Sequence, residues 1–453
     1  MATAPSVSPS PSLGQALFQM TWPMLFGVLA LMSFQLADSA FIGQLGLAPL
    51  AVAGFTVPVY LFISGMQVGL GIATTAVISR TLGTGNRQRA GQLGGLVLWT
   101  GALMILALCL LIWLLRVPIV TAMGADAALL PLVDRYWAPW LLSTWLGAVL
   151  YFGYSLCRAH SNTKLPGLTM VGISLLNIAL DPLYIFTFGW GIAGAAWAST
   201  TAFAIGCLII FPRLLQRRWL RLDLGSLALG PALKQLGQIM APAMLSQLMP
   251  PLAALLATSL VAGFGTAAVA AWGLGTRLEF FSIVIVLALT MSLPPMVGHF
   301  LGAGKIDQIR QLVRLAVRFV IVWQLSVALF WLLVSEPLTQ LLTRDQTVRE
   351  ILQDYLILVP FSYSALGVCM LMVSVSNAMN QPLRGLLISV LRLFLCYLPL
   401  LGLGAWLAGL SGLFSGALLG NLAAGILAWL LYRQGMSRLM TDQRLPRMPR
   451  EGG

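Results

Sequence analysis

One spacing recurs along this chain. Leu82-Gly83-Thr84-Gly85 returns as Leu301-Gly302-Ala303-Gly304, 219 residues further on. The same step carries Pro23 to Pro242, Gly54 to Gly273, Pro118 to Pro337, Asp126 to Asp345 and Tyr136 to Tyr355. A register kept over so many positions makes the chain two similar halves, residues 1–220 and 221–440. Whatever forms in the first half is expected to form again in the second. In a membrane, such duplication is the pattern of transporters.

Composition supplies the membrane. Of 453 residues, 59% are hydrophobic and 9% are charged, where a soluble domain carries about 25% charged residues. Each crossing takes roughly 20 apolar residues, and in lipid the backbone must satisfy its own hydrogen bonds. The apolar runs are long and continuous, which predicts helices rather than the ten-residue alternation of a barrel. Twelve spans are expected: 17–41, 48–79, 91–115, 134–158, 166–188, 192–214, 235–262, 267–298, 312–335, 352–378, 383–403 and 411–432. Six per half puts both halves in the same orientation, so the repeat is parallel about an axis along the membrane normal. The fold class is an all-α polytopic membrane protein. The expected organisation is a disordered Ser/Pro-rich tail (1–14), two six-helix lobes (15–220 and 221–434) and a basic tail (435–453).

The net charge of +13 is sorted by side. Twenty lysines and arginines, among them Arg80, Arg87, Arg217, Arg310, Arg314 and Arg433, fall on one face of this topology. Only Arg116, Arg135, Arg344 and Arg349 fall on the other. The positive-inside rule then places both termini in the cytoplasm, in an inner (plasma) membrane protein. Contact with anionic lipid accounts for the charge, and no nucleic-acid partner is expected.

Several chemistries have no support. Cys109, Cys157, Cys207, Cys369 and Cys396 show no metal spacing and read as small apolar residues of helix packing. The two histidines, His160 and His299, stand at span ends with no second ligand nearby. The glycine loops LGTGN and LGAGK do not match a phosphate-binding loop and read as helix C-terminal glycines. No enzyme, metal or resident cofactor is expected, and energy for transport would come from an ion gradient.

Five of the charged residues inside the spans stand out: Asp38, Asp181, Arg277, Glu279 and Arg392. A charge at mid-bilayer costs at least roughly 2.5–3.5 kcal/mol, so each must face a cavity or a partner. Counted from Trp22 and from Pro166, Asp38 and Asp181 lie about 24 Å and about 22 Å along their helices. Asn177 is one turn before Asp181 on the same face, and Pro182 frees the carbonyl of Ile178. Two carboxyls crowded in a low-dielectric pocket do not both ionise cheaply, which suits a proton or cation site. Arg277 and Glu279 are two apart and do not face each other. Arg392 is the expected partner of Glu279 in a structural ion pair.

These segments carry a resemblance. WPMLFGVLALMSFQLADSAFIGQLGLAPLAVAGF, LGTGN, NIALDPLYIF with GIAGAAWAST, GLGTRLEFF and GHFLGAGK resemble the multidrug and toxic compound extrusion (MATE) family, from about Gln15 to Leu431. The resemblance implies a V-shaped pair of lobes that exports organic cations or amphipathic drugs in exchange for protons or sodium. Within the family the chain is most similar to the DNA-damage-inducible-F-like (DinF-like) branch, whose acids sit in the first lobe. That implies a coupling set of Asp38, Asn177 and Asp181, with a small hydroxyl at Ser199 or Thr200. The sodium-linked branch keeps acids in its seventh and tenth helices. Those spans hold none here, and Gln247 is the nearest polar group of the seventh. Met32, Phe34, Gln35, Tyr151 and Tyr184 are the candidate substrate-cavity residues. A monomer is expected. The alternative reading is a lipid-linked saccharide flippase of the same superfamily, for which only Arg277 and Arg392 offer positive charge.

Overall fold

The structure, a computed structural model, describes residues 12–225 and 227–444, with side chains as far as Thr441. All regular structure among them is helical, as lipid requires of long apolar runs. The first lobe comprises α1 (Leu13–Gln44), α2 (Leu47–Gly83), α3 (Arg87–Leu114), the short α4 (Arg116–Ala122), α5 (Leu130–Ala159), α6 (Lys164–Pro182) and α7 (Ile192–Gln216). The second comprises α8 (Leu229–Ala262), α9 (Thr266–Ser282), α10 (Val284–Gly302), α11 (Ile306–Leu342), α12 (Gln346–Leu358), α13 (Tyr363–Ala378), α14 (Pro382–Leu391) and α15 (Leu398–Arg444).

The ends of the chain differ from expectation. Ser12 caps α1: its hydroxyl accepts from the Gln15 N–H, and the Gln15 side chain accepts from the Ser12 N–H. Residues 12–14 are therefore cap and first turn rather than tail. At the other end α15 runs to Arg444, through the first ten residues of the expected basic tail. Residues 1–11 and 445–453 lie outside the described residues.

Two expected single spans are broken, each for a local reason. The eighth span divides at Ile283 into α9 and α10. Side chains of α11 fix the break: Gln324 Nε2 donates to the Ser282 carbonyl at 3.1 Å, and Trp331 Nε1 to its hydroxyl at 2.8 Å. A side chain that takes a carbonyl out of the helical ladder bends the helix there. The tenth span divides into α12 and α13 around a 3-10 turn, Val359–Ser362, where Pro360 lacks an N–H.

The last two expected spans remain two helices, joined at a tight reversal within the segment designated α15. At 47 residues α15 would be about 70 Å long if straight, over twice the hydrocarbon thickness. It reverses at Ala408 and Gly409, the glycine at φ 61° and ψ −138°. The two arms then run back to back at backbone distance. A Cβ added to Gly416 would lie 2.9 Å from Leu401 Cα, and one on Gly420 2.9 Å from Tyr397 Cα. The chain thus crosses twelve times, six per lobe.

The repeat is visible in backbone geometry. Gly46 (φ 109°) before α2 matches Gly265 (φ 99°) before α9. Gly85 (φ 85°) matches Gly304 (φ 71°), and Ser161 (φ 58°) matches Asn380 (φ 62°). Gly191 before α7 has φ 57° and ψ −138°, the geometry of Gly409 in α15. Asp126 and Asp345 each cap the helix that follows them.

The lobes meet through α2 packed on α8 and α10, and α1 packed on α10. Thr21 and Ser292 share a hydrogen bond of 2.8 Å across the seam. At the face bearing the basic loops the seam is backbone on backbone: a Cβ added to Gly302 would lie 2.9 Å from Gly83 Cα.

The hairpin within α15 yields a contrast. A Cβ on Gly404 would press on the Gly412 backbone, whereas one on Gly402 meets nothing within 4 Å. Gly404→Ala is expected to cost about 1–3 kcal/mol through overpacking. Gly402→Ala is expected to be neutral or stabilising by up to about 1 kcal/mol through helix propensity. Thermal unfolding of the purified variants in detergent measures both.

Candidate functional site

Small residues bring the acids' helices together. Gly27 of α1 lies against Met170 and the Gly167 Cα of α6, and Gly167 in turn lies against the Pro23 backbone. From that contact Asp38 is 11 residues on and Asp181 is 14 residues on, about 17 Å and about 21 Å of rise. Both carboxyls therefore project at similar height from helices packed on each other. Tyr136 of α5 stands within the field of both.

Asp181 is fully buried and Asn177 nearly so. In the amide orientation that satisfies both of its ends, Asn177 donates to Asp181 Oδ2 at 3.0 Å. Its carbonyl oxygen then accepts from the Ser199 hydroxyl at 3.0 Å and the Ser199 N–H at 3.1 Å. Ser199 lines a cavity of about 720 Å³, and so does Asp38. A polar chain thus runs from the cavity wall through Ser199 and Asn177 to Asp181. One oxygen on each acid, Asp38 Oδ1 and Asp181 Oδ1, is buried without a hydrogen-bond partner. Beyond Asp181, Pro182 ends α6 and a π-helical turn, Leu183–Thr187, follows. Such turns often accompany functional sites. Thr200 faces elsewhere: its hydroxyl donates to Ala196 O at 2.8 Å and to Pro139 O at 3.3 Å, tying α7 to α5.

Of the candidate cavity residues, Phe34, Gln35 and Tyr151 lie on the cavity wall. Met32 packs against the apolar core instead. Tyr184 joins an aromatic group with Phe188 and Trp190, its hydroxyl 3.5 Å from that of Thr201. Neither Met32 nor Tyr184 lines the cavity. The wall is completed by residues that sequence reasoning did not single out as lining, among them Tyr60, Tyr136, Trp140, Tyr154, Arg158 and Phe203. Arg158 is 4% exposed, donates to the Ser155 hydroxyl at 2.8 Å and lies over the Tyr151 ring at 5.1 Å. Tyr136 carried a signal, since its repeat equivalent Tyr355 also sits beside an acid.

The polar groups of the second lobe do not form the expected pair. Among the described residues the ion pair within 4.0 Å is Arg116–Asp134, not Glu279–Arg392. The Tyr355 hydroxyl donates to Glu279 Oε2 at 3.1 Å and lies 3.4 Å from the Tyr363 hydroxyl. A neutral phenol takes the place that a guanidinium was expected to fill, and Arg392 Nε is buried without a partner. Arg277 and Gln247 are exposed, and none of these four residues lines the cavity of the first lobe. Among the described residues there is no group of three metal-ligating side chains.

Two six-helix lobes of long apolar helices, with an aromatic-walled cavity in the first, have the architecture of a polytopic transporter. The MatE family model matches residues 23–183 and again 242–403, once in each lobe. The chain belongs to this multidrug and toxic compound extrusion family. It is 54% identical to the Vibrio cholerae MATE transporter VcmN in its bent form, with a TM-score of 0.93 over 95% of this chain and 98% of that one. It is 32% identical to a Shewanella oneidensis protein described as an FAD transporter, over 93% of this chain and 95% of the relative. It is 24% identical to the Staphylococcus aureus multidrug export protein MepA, over 94% and 95%.

The hydrogen-bond chain sets a stability test. Asn177→Ala leaves the buried Asp181 carboxyl without its donor, and a loss of about 1–3 kcal/mol is expected. Ser199→Ala removes one hydroxyl donor and should cost about 1 kcal/mol. Thermal unfolding in one detergent, at one pH, ranks the two.

Proposed function

We propose that this transporter exports an amphipathic compound in exchange for protons, by alternating access, with Asp38 and Asp181 as the proton-carrying groups. The observation that carries this reading is the polar chain Ser199–Asn177–Asp181, which joins a fully buried carboxyl to the wall of a large cavity. Each acid keeps one buried oxygen free to take a proton. In this reading protonation changes what Asn177 and the turn beyond Pro182 can bond to, and that change favours release of cargo. The lobes then rock about the seam between α2, α8 and α10. Arginine asymmetry supports an inner-membrane protein with both termini in the cytoplasm. A monomer without a resident cofactor suffices, because both acids and all the cavity's lining residues but Met291 belong to one lobe of one chain.

The test is exchange in proteoliposomes under an imposed pH gradient, with sodium varied separately. Asp38→Asn and Asp181→Asn are each expected to lower proton-driven exchange at least tenfold. Glu279→Gln, whose carboxyl lies in the other lobe, is expected to retain it. Normal proton-coupled rates in both aspartate variants would remove the assignment.

One observation favours a second reading of the cargo. Arg158 places a buried positive charge on a wall otherwise rich in aromatic rings. That combination suits a planar compound bearing an anionic group, and one relative is described as an FAD transporter. On this reading Arg158→Gln lowers FAD uptake by about tenfold, the loss of one charge-assisted hydrogen bond, and leaves uptake of a cationic dye unchanged. An equal effect on both compounds would reduce Arg158 to a structural role.

A further inference from the structure

A second cavity, of about 310 Å³, lies outside the transport site at the face bearing the basic loops. It forms where the first turns of α11 meet the last turns of α15. Arg310 and Arg314 stand one turn apart on α11. Trp429, Tyr432, Arg433 and Ser437 recur at helical spacing along one stripe of α15.

Three features of this cavity are unbalanced. First, three guanidiniums line it, and among the described residues no carboxylate lies within 4.0 Å of any of them. Like charges so placed repel one another unless an anion sits among them. Second, Tyr432 is 3% exposed, yet its hydroxyl is buried with no hydrogen-bond partner. That hydroxyl lies within the field of Arg310 and Arg314. Third, Trp429 packs against Tyr432 with ring centroids 5.3 Å apart, giving the cavity an aromatic side. A membrane-interface site for an amphiphile has this composition: an aromatic edge for its apolar part and a cationic pocket for its head.

We propose that this pocket binds a phosphate group, held by Arg310, Arg314 and Arg433 and by the Tyr432 hydroxyl, and that its occupant is the headgroup of an anionic phospholipid. Guanidinium groups match phosphate oxygens in pairs, and a phenol donates to a third oxygen. The tryptophan side accounts for a lipid in preference to a free phosphate, which needs no apolar contact. The site is independent of the transport chemistry proposed above, since none of its residues lines the first-lobe cavity.

The experiment uses the purified full chain in lipid nanodiscs, with bound lipid counted by native mass spectrometry and unfolding temperature measured in parallel. In mixed phosphatidylcholine and phosphatidylglycerol, one phosphatidylglycerol is expected to stay bound under conditions that strip phosphatidylcholine. Replacing Arg310, Arg314 and Arg433 together by Gln is expected to lower its retention at least tenfold. Removing the same number of charges at Arg87, Arg89 and Lys164 is expected to leave it unchanged. Tyr432→Phe keeps the ring and loses only the donor, so it tests the pocket even if the triple variant misfolds; about a threefold loss is expected. Unfolding temperatures in pure phosphatidylcholine separate loss of the site from loss of the fold. Inorganic phosphate added to phosphatidylcholine discs distinguishes the source. Stabilisation by phosphate that displaces phosphatidylglycerol supports the pocket but assigns it to a soluble phosphate. Equal retention in wild type, the triple variant and Tyr432→Phe overturns the proposal, as does no response to either probe.

Discussion

A carboxyl group buried inside a helical bundle draws its hydrogen bonds from the protein around it. Asp181 receives one such bond, from the Asn177 amide to Oδ2, while its Oδ1 has none, and the amide oxygen in turn accepts from a serine on the next helix. The rest of the first lobe serves this arrangement. Gly27 and Gly167 let α1 and α6 touch at backbone distance, which sets the height of Asp38 against that of Asp181. Gly194 lies close against the carbonyl of Tyr184, which holds the start of α7 on the turn after Pro182. A larger residue at Gly27 or Gly167 would push α1 away from α6, and one at Gly194 would push the start of α7 away from that turn.

The two lobes share a backbone and differ in chemistry. Matching glycines, caps and left-handed turns recur across the chain, so the duplication preserved the devices that end and turn helices. The polar contents have diverged. Tyr136 and Tyr355 occupy equivalent positions, each beside an acid, but the acids come from different places: Asp38 and Asp181 in one lobe, Glu279 in the other. Glu279 stands at the position equivalent to Tyr60, which lines the first-lobe cavity. One scaffold therefore presents, in one lobe, a cavity lined by Asp38 with Asp181 behind its wall, and in the other a carboxylate held by the Tyr355 phenol with Tyr363 next to it.

Crossings and lobes were legible because apolar length and the 219-residue register depend only on local sequence. The break inside the eighth span was not. The division at Ser282 is imposed by Gln324 and Trp331, more than forty residues away in sequence. The reversal at Gly409 was legible, since one apolar span was expected to end at 403 and the next to begin at 411. At the site, the acids and Asn177 were legible because charge and amide groups are rare in spans. Which aromatic residues face the cavity was not, since Met32 and Tyr184 differ from Phe34 and Tyr151 only in the direction their helix happens to present. The expected partnership of Glu279 and Arg392 failed for a related reason. Opposite charge in the same lobe suggested attraction, but position in three dimensions gave the carboxylate to Tyr355.

Where Gly83 meets Gly302, two main chains touch with only hydrogen atoms between them. Such a joint has no rotamers to freeze when it closes and no side chains to extract when it opens. Its strength comes from many weak dispersion contacts, which vanish together after a separation of an ångström or so. A closure built this way behaves like a latch with a short throw: stiff while shut, and nearly without resistance once parted. That mechanical character suits the proposed alternating-access cycle, in which this face would seal and unseal.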